Sequence, residues 1–312
     1  MKKKIGYTTL LLFILVNLVA YNHAWHFSHF DTDIKKTKKP EDLSLFEKLV
    51  VLSVGISNPK PVNTVVPNKS YDELVINSHH GFKLSAWRIN VDKSKGTVLL
   101  FHGYTGKKSD LITEAYAFNE LGYNTVLVDF YGSGNSDGNG TTVGRFESED
   151  VRHVYDLISK EEENIILYGA SMGAVAIARA VSYYDLQPQV LILECPYGKF
   201  LTTVKNRFEL MKVPALGLPE LLVFWGGIQN GYWGFSMNTI NFARNIVVPT
   251  LILHGEDDKR SNIEEVREIY QNLKGRKKLR IFKQTQHEAL CKKFPITWKD
   301  EINEFLEANS FL

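Results

Sequence analysis

Three residues, far apart in the chain, have the types and surroundings needed for acyl transfer. Ser171 lies in Gly169-Ala170-Ser171-Met172-Gly173, directly after the apolar run Ile165–Tyr168 and directly before an alanine-rich stretch of helical spacing. A sharp strand-to-helix turn of this kind lifts a serine hydroxyl above a sheet edge, and small flanking residues let the turn close. A bare GxSxG is a weak signal, and the strand–turn–helix context separates it from an incidental serine in a tight turn. A serine hydroxyl is a poor nucleophile at neutral pH and needs a base within hydrogen-bond reach. His287, in Thr285-Gln286-His287-Glu288, follows the last apolar run, where a loop can carry it over the sheet. The acid that orients this base is expected after the preceding run, and His254-Gly255-Glu256-Asp257-Asp258 offers two aspartates there. Spacing alone leaves Asp257 and Asp258 both open.

A tetrahedral intermediate also needs two N–H donors for its oxyanion. Met172, after the nucleophile and at a helix start, supplies the first. Phe101-His102-Gly103-Tyr104-Thr105-Gly106 follows an earlier apolar run, and its glycines allow a close backbone approach. Tyr104 N–H is the second candidate; a plain glycine turn is the bland alternative. Of the other histidines, His79 and His80 fall in a hairpin and His153 on a helix, so none competes with His287.

Positioning these loops calls for a sheet. Strand-like runs are Tyr71–Ile76, Lys83–Ile89, Thr97–His102, Thr125–Asp129, Ile165–Gly169, Val190–Glu194, Thr250–His254 and Lys278–Phe282. The first two alternate polar with apolar and join through His80-Gly81 as a hairpin. The rest are nearly all apolar, as in strands covered on both faces. Helical spacing lies between them at Asp110–Leu121, Glu147–Lys160, Met172–Tyr184, Ile263–Leu273 and Trp298–Leu306. The expectation is an α/β fold with an eight-stranded, mostly parallel sheet and helices on both faces. The long aromatic stretch from about 196 to 245 lacks a strand and reads as a small helical cap insertion in a domain over 69–312.

The ordered set His102-Gly103, Asp129-Phe130-Tyr131-Gly132-Ser133-Gly134-Asn135-Ser136, Gly169–Gly173, His254–Asp258 and His287 resembles the α/β-hydrolase superfamily, closest to its serine-aminopeptidase-like and monoacylglycerol-lipase-like branch. The resemblance runs from about Asp72 to the C-terminus. It implies that the last residue of an HGxxD element is the acid, which falls on Asp258. It also implies that Asp129, Gly132, Gly134 and Ser136 form a structural loop. Tyr131 stands where many relatives have arginine. The implied activity is hydrolysis of a carboxylic ester through an acyl-enzyme on Ser171, with a small-molecule or lipid-like ester as substrate. A serine aminopeptidase or amidase is the alternative; it asks for a carboxylate in the cap, where Glu209 and Glu220 are the acidic residues. A non-catalytic binding protein on the same fold is the other. Neither metal nor organic cofactor is implied.

The N-terminus is built differently. Lys2, Lys3 and Lys4 precede an apolar run from Ile5 to Tyr21, at the short end of what spans a bilayer. Ala20-Tyr21-Asn22 is a poor signal-cleavage site, so residues 1–21 read as an uncleaved transmembrane anchor with an exported catalytic domain. Secretion after signal cleavage is the alternative, and Lys35, Lys36, Lys38 and Lys39 weaken the orientation. Residues 22–68 read as a connector. In it, His23, Trp25, His26, Phe27, His29 and Phe30 form an interfacial cluster rather than a metal site. Leu43–Val54 has helical spacing, with Leu45, Phe46, Leu49, Val50 and Leu52 on one broad face. A net charge of +2, with basic residues spread along the chain, gives no nucleic-acid stripe. The two cysteines, Cys195 and Cys291, make no metal pattern; one disulfide between them stays open. The sequence sets no oligomeric state.

Overall fold

The computed structural model describes residues 2–32, 35–78 and 81–309, with side chains from residue 7 onward. His79 and His80 of the expected hairpin turn, and the side chains of Lys2, Lys3 and Lys4, lie outside the described residues. The chain divides into two compact units, Met1–Pro59 with Phe200–Met237, and Lys60–Lys199 with Asn238–Leu312.

The larger unit holds the strands β1 (Asp72–Asn77), β2 (Lys83–Ile89), β3 (Thr97–Phe101), β4 (Asn124–Val128), β5 (Ile165–Ala170), β6 (Val190–Glu194), β7 (Thr250–Gly255) and β8 (Lys277–Phe282). In chain order, the protein's helices are α1 (Lys2–Ser28), α2 (Leu45–Val54), α3 (Ile112–Glu120), α4 (Glu147–Ile158), α5 (Met172–Tyr184), α6 (Phe200–Met211), α7 (Leu218–Gln229), α8 (Thr239–Ala243), α9 (Ile263–Asn272), α10 (Leu290–Lys293) and α11 (Pro295–Ala308). The eight strands form one mixed sheet in the order β1-β2-β4-β3-β5-β6-β7-β8. Only β2 runs against the rest: it pairs antiparallel with both β1 and β4, and all later pairings are parallel. The order reverses at β3, so the ends of β3 and β5 flank the crevice where open α/β sheets bind ligands.

The apolar runs became strands because both sheet faces are covered. Val98 and Leu100 of β3 share a core with Phe118 of α3 and with Trp298 and Ile302 of α11. Leu99 and Phe101, pointing the other way, are equally inaccessible, and α4, α5 and α9 pack on the sheet outside that core. Strand limits differ from the sequence reading by a residue or so. The last helix starts at Pro295 rather than Trp298, because proline is well placed at a first helical position, where no N–H is needed. Cys195 and Cys291 are free and buried.

The smaller unit is helical. One stripe of α1, Ala20, Ala24 and Ser28, is buried. These small side chains let α7 approach closely: a Cβ on Gly226 would lie 3.8 Å from the Ala24 Cβ. Trp225 Nε1 donates to Asn17 Oδ1 at 3.1 Å, Gln229 Nε2 donates to the Tyr21 carbonyl at 2.8 Å, and the Tyr21 and Trp225 rings meet edge-on. Up to Pro59, the segment expected as a connector is bonded to α1. Asn22 Nδ2 donates to the Val54 carbonyl, the His23 ring meets the Leu52 carbonyl and Asn58 Nδ2 donates to the His26 carbonyl. His29 stacks on Trp25, with ring centres 3.5 Å apart. Three of the four interactions dock the α2 end of the segment onto α1.

Candidate active site

The turn between β5 and α5 is as tight as the glycines at its ends imply. A Cβ on Gly169 would sit 2.5 Å from the Gly173 backbone, and one on Gly173 would sit 2.3 Å from the Phe101 carbonyl oxygen. Both are closer than real side chains approach, so β5, the turn and β3 meet only through glycine. Ser171 itself takes φ 52° and ψ −112°. A non-glycine residue held there costs about 1–3 kcal/mol and persists where its surroundings over-determine it. Its N–H donates to the Glu194 carbonyl at 2.7 Å, which fixes the turn to the end of β6.

The three residues singled out for acyl transfer converge. His287 Nε2 lies 3.0 Å from Ser171 Oγ, and His287 Nδ1 lies 2.6 Å from Asp258 Oδ2. The other Asp258 oxygen, Oδ1, accepts N–H bonds from Arg260 and Ser261 at 2.8 and 3.0 Å. Asp258 is buried, and burial alone would raise its carboxyl pKa. The His287 hydrogen bond and charge and the Ser261 N–H outweigh that and hold it below the usual value. Asp257 makes no such approach: its N–H donates to the Thr285 carbonyl, bracing the strand-end loop.

Met172 opens α5, and the first N–H groups of a helix have no carbonyl within it. Gly103 brings the second loop in: its Cβ position is 3.4 Å from both the Ala170 oxygen and the Ser171 Cβ. Tyr104, the second candidate donor, follows Gly103 directly in the chain. His102 stiffens this loop: Nδ1 bonds the Gly103 carbonyl and Nε2 accepts the Phe130 N–H.

The Asp129 loop is structural. Asp129 accepts from the Lys108 N–H and Nζ, both at 2.7 Å, from Asn63 Nδ2 and from the Asn135 N–H. A Cβ on Gly134 would overlap its carboxylate at 2.0 Å. Lys108 Nζ is wholly buried, also reaches Ser85 Oγ and stands 4.6 Å above the Trp87 ring.

Sequence reasoning missed the polar floor beneath the site. Glu194, fully buried at the end of β6, accepts from Trp298 Nε1, Tyr168 OH and the Leu290 N–H at 2.8, 3.0 and 3.1 Å. It thereby ties the nucleophile's strand, the chain just after His287 and α11 to one carboxylate. Burial pushes its pKa up against those three donors. The one signal for it was a carboxylate closing an otherwise apolar strand. Glu114 lies nearby in charge terms: burial, then the Glu194 charge, raises its pKa to about 7. Cys195 Sγ falls within 4.8 Å of the Asp258 and His287 donor atoms. Burial raises the thiol well above its ordinary value.

Comparison with known proteins bears on the fold and the family resemblance. Residues 92–231 match the family described as Serine aminopeptidase, S33. An uncharacterized protein of Bacillus subtilis, YqkD, is 24% identical over 238 residues, covering 75% of this chain and 78% of its own. The lysophosphatidylserine lipase ABHD12 of Macaca fascicularis is 27% identical over 206 residues, 61% of this chain and 48% of the lipase. The chain thus spans about half the length of that lipase. An esterase of Pyrococcus furiosus superposes with a TM-score of 0.66 at 24% identity, over 80% of this chain and 98% of the esterase. Est1E of Butyrivibrio proteoclasticus, solved with ferulic acid, gives 0.59 at 20% identity, over 76% and 98%. Residues 92–231 thus resemble the serine aminopeptidase S33 family, and the chain has the α/β-hydrolase fold.

Proposed function

We propose that the protein hydrolyses a carboxylic ester with an apolar acyl group, through an acyl-enzyme on Ser171. The carrying observation is the unbroken chain from Ser171 Oγ through His287 to Asp258, at 3.0 and 2.6 Å. His287 Nε2 takes the hydroxyl proton as Oγ attacks the carbonyl carbon, while Nδ1–H donates to Asp258 and the imidazolium that forms is stabilised. Met172 and Tyr104 N–H groups receive the oxyanion. His287 then protonates the leaving alcohol, and water attacks the acyl-enzyme by the same route in reverse.

The lipase and esterase relatives support an ester of lipid character. The aminopeptidase alternative asks for a carboxylate to hold a substrate amine. Glu220 is engaged by Lys205 at 2.7 Å and Glu209 is exposed. The anchor reading gains from α1: Tyr7–Ser28 is long and apolar enough to cross a bilayer, and its second half is bonded to α7. Cleavage near Ala20 would strip α7 of that partner, which favours an anchor that is kept.

A fluorophosphonate probe should label the wild type, and Ser171→Ala should abolish both labelling and turnover of p-nitrophenyl esters. Loss of a nucleophile of this kind costs on the order of 10⁶ in kcat. Full activity in Ser171→Ala sinks the assignment.

A further inference from the structure

Helix α2 is wrong side out for a soluble domain. Its one buried residue is Val51, whereas Leu45, Phe46 and Leu49 are 81%, 75% and 63% exposed, with Val50 and Val54 beside them. The helix is nonetheless firmly built. Ser44 and Glu47 form a reciprocal capping box, and Lys38 pairs with Glu47. An apolar helical face of this size ordinarily turns inward or meets a partner.

Three observations identify the partner as a lipid bilayer. First, α2 is bonded to the end of α1, through Asn22 and His23, and α1 is itself exposed and apolar from Tyr7 to Leu18. Second, exposed Tyr21 and Trp25 stand at that same level of α1, as aromatic rings do at a membrane boundary. Third, Lys35, Lys36, Lys38 and Lys39 lie in the segment leading to α2, a basic cluster suited to anionic head groups even with Lys38 paired to Glu47.

Length adds a consequence for α7. The exposed stretch Tyr7–Leu18 rises about 18 Å, while the hydrocarbon core is ~30 Å thick. The remaining depth must include Val19–Tyr21, where α7 is already packed. From Leu221 to Ile228, α7 carries no charge.

We propose that residues 1–59 and 200–237 form a membrane-seated platform, with the Leu45/Phe46/Leu49 face of α2 lying in the interface of an anionic bilayer and α7 at acyl-chain depth beside α1. The proposal rests on the reading of α1 as a retained anchor and extends it from a tether to a docked body holding the inserted helices.

The test uses full-length protein in vesicles of phosphatidylcholine and phosphatidylglycerol, with a fluorophore on Phe46→Cys; both native cysteines are buried. Lipids brominated near the head group should quench this label several-fold more than one on exposed Lys160→Cys. Equal quenching at both sites overturns the platform. The triple variant Leu45→Glu, Phe46→Glu, Leu49→Glu should keep wild-type turnover of a short soluble ester. It should lose about tenfold or more in kcat/KM on a long-chain ester carried in the vesicles, the equivalent of ~1.4 kcal/mol. An equal loss on both substrates, or cross-linking of the α2 face to a second copy, also overturns it. Alkaline extraction separates the two readings: wild type released from the membrane sinks the anchor itself, whereas retained protein with an unquenched label sinks the platform alone.

Discussion

The two units handle water in opposite ways. In the sheet unit, several charged groups are taken inside and engaged: Lys108 with Asp129, Glu194 with three donors, Asp258 with His287 and two N–H groups. In the helical unit, polar side chains serve as seams between helices, and large apolar ones face outward along α1 and α2. A buried network costs desolvation that its hydrogen bonds must offset, so such a network is worth having where geometry has to be held. An exposed apolar helix face gains nothing from water and fits a different solvent. On the proposed reading, chemistry and location belong to separate bodies of one chain, so they should be separable by mutation.

Asp258→Asn is the sharpest test on the chemical side. The amide keeps the shape but removes the charge that holds His287, so kcat should fall about 10⁴-fold in steady-state assays, with membrane retention unchanged. Activity within tenfold of wild type would mean that the acid is elsewhere.

Glu114 gives a subtler contrast. Its buried Oε2 has no hydrogen-bond partner among the described residues, and its folded pKa of about 7 stands above the ordinary 4.5. Below pH ~4.5 both folded and unfolded states keep the proton. As pH rises toward 7 the unfolded chain releases it first, so stability falls, by up to about 3 kcal/mol. Glu114→Gln should flatten the dependence of Tm on pH across that window and raise Tm at pH 8. An unchanged slope in calorimetry would show that Glu114 is solvated.

The smallest effect belongs to the helical unit. Ser44→Ala removes the α2 cap and should cost about 1 kcal/mol. It should speed amide exchange in Leu45–Val51 and leave ester turnover alone. Slowed turnover of a soluble ester would break the separation between the units.

Much of the sheet unit was legible in the chain. Fully covered strands must be apolar along their whole length, so Thr97–Phe101 or Val190–Glu194 announce themselves. Ser171, Asp258 and His287 keep the chain order their architecture requires. What stayed hidden depends on approach in space. Nothing local marks Glu194 as the acceptor for Leu290, or sets Asn17 opposite Trp225. Nor does anything local mark the Leu52 carbonyl as the partner of the His23 ring, or turn the His29 ring back onto the Trp25 carbonyl of its own helix.

The pairing of Asn17 with Trp225 spans 208 positions. Translation therefore delivers one half of that joint long before the other. The small-residue stripe on the first helix must wait without α7 while the whole nucleophile region is made. Closure of this joint is a late event in biogenesis, and a nascent chain halted before Leu218 would leave the first helix without its partner.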